Sequence, residues 1–196
     1  HWGKANDGWI CPDATVPPKG STGPSVSSHY GTVGSAWETG TNSFWWWSGS
    51  GPPNTINRVG SYAANDWLTG WGWDPQLEKP EWTMTKEAQV AHTSLTPVFA
   101  DGVSFWWVFP KETDLPAFNL QTGNVEVAAP SMSAVTIPRH GSRPSRVPTN
   151  QQPQAKLPGS INVSFYDGHM ALVRLESLWQ LEWHGDWQAP AKRPGL

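Results

Sequence analysis

Cysteine is nearly absent from this chain: among 196 residues only Cys11 carries a thiol, so an intrachain disulfide is excluded. The sequence also lacks a run of about 18 apolar residues, the length that a helix needs to cross a bilayer. No basic run is longer than two residues, and the formal net charge is −3. Nucleic-acid binding normally requires a clustered positive face, so this class of partner is not expected.

Signatures of several enzyme classes are missing as well. The chain contains no Gly-x-Ser-x-Gly nucleophile elbow, no HExxH zinc motif, no CxxC pair and no glycine-rich phosphate or dinucleotide loop. A Cys11 nucleophile would need a partner histidine and an electropositive setting, neither of which the sequence reveals. A buried or strand-end position is the expectation for Cys11, which Pro12 follows.

Tryptophan, by contrast, is abundant: the chain has 15, including Trp45-Trp46-Trp47 and Trp106-Trp107. Large amphipathic rings serve cores, interfaces and sugar-stacking platforms alike. Two hypotheses therefore stand side by side. Either the rings pack the core and clamp loops, or an exposed subset contacts a protein or a polysaccharide, with the binding candidates Trp45, Trp46, Trp47, Trp106 and Trp107.

The distribution of Gly, Pro and apolar runs predicts one α+β domain over residues 1–196, with an antiparallel sheet, short helices and long loops. Residues 1–60 are loop-rich, and residues 139–157 form a long, polar, Pro-rich excursion. The local predictions are a helix over 83–91, a hairpin joining 97–100 to 104–109 through Asp101-Gly102, and a strand over 134–137.

The C-terminal region carries the clearest pattern. Apolar and polar residues alternate from Ile161 to Tyr166, Asp167-Gly168 supplies a turn, and a second strand returns over 169–173. The apolar residues that follow fall on one face of a short helix: Leu175, Leu178, Trp179 and Trp183. Residues 160–187 are therefore predicted to form a hairpin followed by a helix.

Several segments, taken together, resemble a bacterial family. They are 9–12 (WICP), 60–65 (GSYAAN), 96–102 (TPVFADG), Arg139-His140, 157–169 (LPGSINVSFYDGH) and 175–179 (LESLW). In this order they are similar to the prepilin-type processing-associated H-X-DG domain, whose motif comprises His140, Asp167 and Gly168 here. The resemblance covers most of residues 9–187, although the 26 residues between His140 and Asp167 exceed the family spacing.

Proteins of this family resemble type IV pilins and the pseudopilins of type II secretion. The resemblance implies a pilin-like globular domain and an antiparallel sheet laid against the end of an N-terminal membrane helix, with His1 just after that helix. It implies a bacterial cell-envelope location, periplasmic or extracellular. The implied function is that of a structural subunit or accessory of a filament, with other pilin-like subunits or the secretion machinery as partners.

Major pseudopilins often hold calcium in a C-terminal loop, and the resemblance makes Asp101 and Asp167 the candidate calcium ligands. Calcium prefers about six to eight oxygen ligands. The alternative is that both carboxylates only stabilise their Asp-Gly turns. A zinc site formed by His140, His169 and a carboxylate is a further hypothesis. Its alternative is that both histidines are hydrogen-bonding residues at strand ends.

A glycan-active enzyme is the alternative from another functional class. Glycoside hydrolases pair two carboxylates across a cleft, and a Trp-rich cleft suits a sugar substrate. The catalytic candidates are Asp101, Asp167 and Glu176, drawn from a wider set of Asp66, Asp101, Asp167, Glu176, Glu182 and Asp186. A non-catalytic carbohydrate-binding module is the third alternative, and it predicts saturable polysaccharide binding without turnover.

Overall fold

The computed structural model describes residues 9–15, 30–39, 58–69, 80–104, 108–124 and 131–196. Its strands are β1 (Trp37–Thr39), β2 (Arg58–Gly60), β3 (Tyr62–Ala64), β4 (Pro97–Asp101), β5 (Ser160–Phe165) and β6 (Met170–Arg174). Its helices are 3-10 turns at Asp66–Leu68, Pro80–Trp82, Glu87–Gln89, Met132–Ala134 and Leu175–Gln180. Within these ranges, none of the helices is both long and apolar enough to cross a membrane. The antiparallel strands, short helices and long irregular segments agree with the predicted α+β class.

Strands β3 to β6 form one antiparallel sheet in the order β3-β4-β5-β6, and β1 pairs with β2 separately. Ala63, Ala100 and Val163 are register partners on the three neighbouring strands, and all three are buried. Because successive residues of a strand point to opposite faces, this row defines the core face of the sheet. Asp101 and Asn162 therefore belong to the opposite, outer face, on adjacent strands.

One cluster of buried apolar side chains extends from Val33 to Trp187 and packs on the core face. Four tryptophans belong to this cluster: Trp67, Trp179, Trp183 and Trp187. Their indole N–H groups donate to the backbone carbonyls of Pro110, Asp114, Leu178 and Trp179, respectively. The core-packing hypothesis is confirmed for these four rings. The binding candidates lie outside the described residues: Trp45, Trp46, Trp47, Trp106 and Trp107.

The predicted C-terminal hairpin is confirmed. β5 and β6 pair from Ser160 opposite Arg174 to Ser164 opposite Met170. The helix after it is confirmed in position, although it is a 3-10 helix from Leu175 to Gln180. Its apolar side is buried as the spacing predicts, since Leu175, Leu178 and Trp179 have no exposed surface.

The predicted hairpin through Asp101-Gly102 is wrong. β4 has β3 on one side and β5 on the other, so both of its edges are occupied. Gly102 donates its N–H to the Ser61 carbonyl, and Val108 forms an isolated bridge with Asn65. Val103 and Val108 are fully buried, so the chain after Gly102 enters the core instead of folding back on β4.

Two further local predictions are wrong because tertiary contacts override local propensity. Residues 134–137 are not a strand: the 3-10 turn Met132–Ala134 includes the first of them, and Ile137 is fully buried in the core. Residues 83–91 contain only the single turn Glu87–Gln89. Met84 donates its backbone N–H to the Trp67 carbonyl, so this end of the segment is held by a long-range bond and not by a helix.

The long excursion 139–157 is packed on the domain. His140 and Ser160 exchange two backbone hydrogen bonds, each of 2.9 Å, where the excursion leaves and rejoins the sheet. Val147, Gln151 and Leu157 are buried along its length. The excursion therefore fixes the position of His140 beside the first residue of β5.

Candidate functional site

A buried salt bridge lies at the centre of the candidate site. Arg139 Nη1 is 3.0 Å from Asp101 Oδ1, and neither side chain has exposed surface. The other carboxylate oxygen of Asp101 accepts from the backbone N–H of Asn162 at 2.7 Å. The guanidinium also donates to four backbone carbonyls, those of Thr32, Val33, Ser61 and Gly102. Buried charges are tolerated when they are paired and hydrogen-bonded to this extent.

His140, the neighbour of Arg139, lies between two carboxylates. Its Nδ1 is 2.7 Å from Asp13 Oδ2, and its Nε2 is 3.1 Å from Asp101 Oδ2 and 2.9 Å from Asn162 Nδ2. A neutral ring with the proton on Nδ1 donates to Asp13 and accepts from Asn162 through Nε2. Both ring nitrogens of His140 therefore have polar neighbours within hydrogen-bonding distance.

The thiol of Cys11 is the last member of this cluster, which also contains Asp13, Asp101, Arg139 and His140. Its Sγ is 3.1 Å from His140 Nε2, and the residue is fully buried. Burial raises the pKa of the Cys11 thiol, the amide of Asp13 opposes that shift by hydrogen bonding to the sulphur, and the charge of Asp101 raises the pKa further. Cys11 is thus a buried residue, as expected, and its environment favours the thiol over the nucleophilic thiolate.

A short turn presents these donors to the sheet. Ala14 donates its N–H to the Cys11 carbonyl at 2.8 Å, with Pro12 at the second position of the turn, where its fixed φ is favourable. The Cys11 N–H donates to the Ser61 hydroxyl at 2.6 Å. The turn therefore lies over the outer face of the sheet, next to the residue that precedes β3.

The two predicted calcium ligands lie far apart. Asp101 contacts Asn162 near the start of β5, whereas Asp167 is in the β5–β6 turn. At about 3.3 Å per strand residue, the separation along β5 exceeds about 10 Å. Asp167 Oδ1 accepts from the His169 backbone and lies 2.6 Å from His169 Nδ1, and these hydrogen bonds lower the Asp167 pKa. Asp167 therefore stabilises its own turn, which was the alternative to a role in calcium binding.

The length of β5 also separates His140 from Asp167 and from His169, the residues with which it was predicted to act. His140 pairs with Ser160 at one end of β5, while Asp167, Gly168 and His169 lie beyond its other end. The excursion 139–157 does not bring His140 to the Asp-Gly turn. The structure therefore does not assemble the predicted zinc set of His140 and His169, nor a joint site of His140 with Asp167.

The remaining catalytic candidates hold the fold together through separate partners. Glu176 pairs with Arg193 at 2.6 Å and accepts from the Leu157 N–H, and Glu182 pairs with His92 at 2.7 Å. A surface groove of about 730 Å³ lies beside β6, but its lining contains no carboxylate: Gly141, Ser142, Lys156, Leu157, Pro158, Gly159, Ser160, Leu172 and Arg174. This groove lacks the carboxylate pair of a glycoside hydrolase.

Asp66 and Asp186 complete the set of carboxylate candidates. Asp66 is buried and accepts from the Thr69 hydroxyl, in the 3-10 turn where it lies. Asp186 is exposed near the C-terminal end. Asp66 therefore belongs to local structure, and Asp186 lies outside the cluster around His140.

Sequence reasoning missed Asp13 and the partnership of Cys11 with His140. Cys11 and His140 are 129 residues apart, and neither residue stands in a local metal or catalytic motif. One signal in the sequence did point to these contacts. The segments that meet here all belong to the family resemblance: 9–12, 60–65, 96–102 and Arg139-His140.

Comparison with known proteins gives no match for this chain: no protein-family model, no curated protein and no solved structure matches it.

Proposed function

We propose that this chain is a structural subunit or accessory of a pilin-like filament in the bacterial cell envelope. One observation carries the proposal: the polar residues of the segments that resemble the H-X-DG domain meet in a single network. Cys11, Ser61, Asp101, Arg139, His140 and Asn162 belong to it. Through this network, residues that are far apart in the sequence hold the same part of the fold together.

The chemistry of this network favours a structural role over a catalytic one. The Arg139–Asp101 pair has no exposed surface, and its hydrogen-bonding capacity is taken by backbone groups of β3, β4 and β5 or of residues next to them. The Cys11 thiol is fully buried. A reacting group must reach its substrate, so these residues serve to join segments rather than to turn over a ligand.

The β6 edge supplies a surface suited to contacts between subunits. β6 is the last strand of the sheet, so its outer backbone edge has no strand neighbour within the described part of the chain. Met170 and Leu172 are 66% and 56% exposed, and Tyr166 nearby is 37% exposed. Exposed apolar side chains on an edge strand are typical of a surface that a partner covers.

The proposal is tested in the bacterium that carries the gene. A photo-crosslinking residue is placed at Leu172, and the same residue at exposed Glu87 serves as the matched control. The expected result is a ladder of self-adducts, or adducts to pilin-like proteins, in the sheared envelope fraction for position 172 only. A reading frame upstream of His1 with a prepilin-peptidase site and an apolar helix is also expected.

Two outcomes contradict this function. One is an ordinary cleavable signal peptide upstream of His1 together with a monomer that forms no adducts. The other is saturable polysaccharide binding with quenching of tryptophan fluorescence in the absence of any envelope adduct, which supports a carbohydrate-binding module instead. Hydrolysis of glycosides by the purified chain supports the enzyme alternative.

A further inference from the structure

We infer that Cys11, Asp13 and His140 form a binding site for a borderline-soft divalent cation of the zinc class. One donor atom from each residue lies within 4.8 Å of the other two. A thiolate, an imidazole and a carboxylate are the three ligand types that zinc takes in proteins. The site differs from the predicted calcium site: Asp167 has no part in it, and Asp101 contacts His140 without belonging to the three-residue cluster.

The distance between Cys11 and His140 requires only a small adjustment to admit an ion. Cys11 Sγ and His140 Nε2 are 3.1 Å apart, whereas two ligands of a tetrahedral zinc with bonds of about 2.0–2.3 Å are about 3.3–3.6 Å apart. The pair must therefore widen by about half an ångström. Asp13 now binds His140 Nδ1, but its side chain is 58% exposed, so it has room to turn towards an ion on the Nε2 side.

Two of the three donors, Cys11 and His140, are held in place before any ion binds. Cys11 and Asp13 belong to one tight turn, whose Ala14 N–H bonds the Cys11 carbonyl. His140 is fixed by its two backbone bonds to Ser160. Such preorganisation lowers the cost of assembling ligands around a metal.

The charges around the site favour a cation. Arg139 pairs with Asp101, so the His140 imidazole is the basic contact of Asp13 and Cys11, and it carries no charge when it serves as a metal ligand. An ion bound at His140 Nε2 takes the place of the Asn162 contact and lies close to the Asp101 carboxylate, whose Oδ2 is 3.1 Å from the same nitrogen. Sulphur and nitrogen donors select zinc over calcium, because calcium prefers a shell of oxygens.

A bound ion would link the segment 9–15 to the outer face of the sheet. Within that segment, Cys11 already contacts Ser61, and Asp13 already contacts His140. Binding only to the folded state stabilises that state in proportion to the logarithm of ion concentration. A cation bound at this site would therefore hold the segment 9–15 against the sheet.

Cobalt titration of the chelator-treated protein tests this site. Co²⁺ is expected to bind one per chain with a thiolate-to-metal charge-transfer band, which Zn²⁺ displaces and Ca²⁺ does not. Cys11→Ser removes the band, and Asp13→Asn weakens Zn²⁺ affinity about tenfold or more. His169→Gln and Asp186→Asn are matched controls with unchanged affinity, because both residues lie outside the cluster.

A second measurement uses the unchanged chain, so it does not depend on whether a variant folds. Cys11 is fully buried, so its alkylation by iodoacetamide reports the transient opening of the segment 9–15, and Zn²⁺ but not Ca²⁺ is expected to slow this alkylation at least tenfold. The inference is overturned if the wild type shows no thiolate band with Co²⁺. It is also overturned if Zn²⁺ leaves the alkylation rate unchanged, or if Cys11→Ser binds Zn²⁺ as tightly as the wild type.

Discussion

Arg139 and Asp101 form a salt bridge of 3.0 Å in which neither side chain has any exposed surface. The pair joins the end of β4 to the start of the excursion 139–157, and the guanidinium donates to four backbone carbonyls: those of Thr32, Val33, Ser61 and Gly102. A buried pair of this kind is costly to break, because removal of one partner leaves the other charge without compensation.

Substitution of Arg139 by Ala is therefore expected to lower the free energy of unfolding by about 3–5 kcal/mol, as breaking a buried pair does. Urea denaturation followed by tryptophan fluorescence measures the change. Arg146→Ala is the matched control, since Arg146 is exposed and surface substitutions usually change stability by less than about 0.5 kcal/mol. A loss below about 1 kcal/mol for Arg139→Ala would show that the network does not hold the fold together.

Two apolar residues of the C-terminal hairpin separate folding from surface contacts. Ile161 on β5 is fully buried, whereas Leu172 on β6 is 56% exposed. Ile161→Ala is expected to cost about 2–5 kcal/mol by leaving a cavity, while Leu172→Ala changes stability by less than about 0.5 kcal/mol. Denaturant midpoints measure both changes. Equal losses for the two variants would contradict the assignment of β6 as an open edge.

The C-terminal hairpin could be predicted from the sequence because the residues that specify it are neighbours in the chain. Alternating residues lead into Asp167-Gly168, where Gly168 has φ of 90° and can close a tight turn. The same dipeptide at Asp101-Gly102 misled the prediction, since Gly102 is described and is not among the glycines with positive φ. A Cβ at residue 102 would lie 2.8 Å from Ala63 Cβ, so glycine is needed there for close packing and not for a turn.

The candidate site could not be read from local patterns. Its contacts join residues that are 129 and 38 positions apart, as in Cys11 with His140 and Asp101 with Arg139. Periodicity and turn signals report on neighbours within a few residues, whereas these pairs form only when the sheet has been assembled. The family resemblance selected most of the right segments but paired His140 with Asp167, which lies at the other end of β5.

The half-buried carboxylate of Asp114 predicts a pH dependence of stability. Its Oδ2 accepts from the N–H groups of Lys111 and Met132, but burial dominates these bonds and raises the Asp114 pKa. With a higher pKa in the folded state, this group contributes stability below its unfolded pKa of about 3.9, and that contribution is lost as the pH rises through the native value.

Asp114→Asn is expected to remove this loss, since the amide keeps an oxygen acceptor and carries no charge. The difference in unfolding free energy between variant and wild type should therefore grow in favour of the variant from about pH 4 upward. Urea unfolding at a series of pH values measures the difference. Asp186→Asn, at an exposed position, should give a flat difference; the same flat result for Asp114→Asn would contradict the assignment.

Gly159 and Gly168 both adopt positive φ, 73° and 90°, but only Gly159 is crowded. A Cβ on Gly159 would lie 2.7 Å from Pro138 Cβ and 3.0 Å from the His140 carbonyl oxygen, whereas a Cβ on Gly168 would meet nothing within 4 Å. Alanine at residue 168 is therefore expected to cost only the backbone penalty of about 1–2 kcal/mol. Alanine at residue 159 must also displace the segment that carries Arg139 and His140.

Gly159→Ala should consequently lose at least about 1 kcal/mol more unfolding free energy than Gly168→Ala, because steric overlap adds to the same backbone penalty. Parallel urea titrations measure this difference, and each variant serves as the control for the other. If Pro138 instead moves aside without strain, the two losses will be equal. Equal losses would mean that the entry to the excursion is not rigidly packed, and that the position of His140 depends on its hydrogen bonds alone.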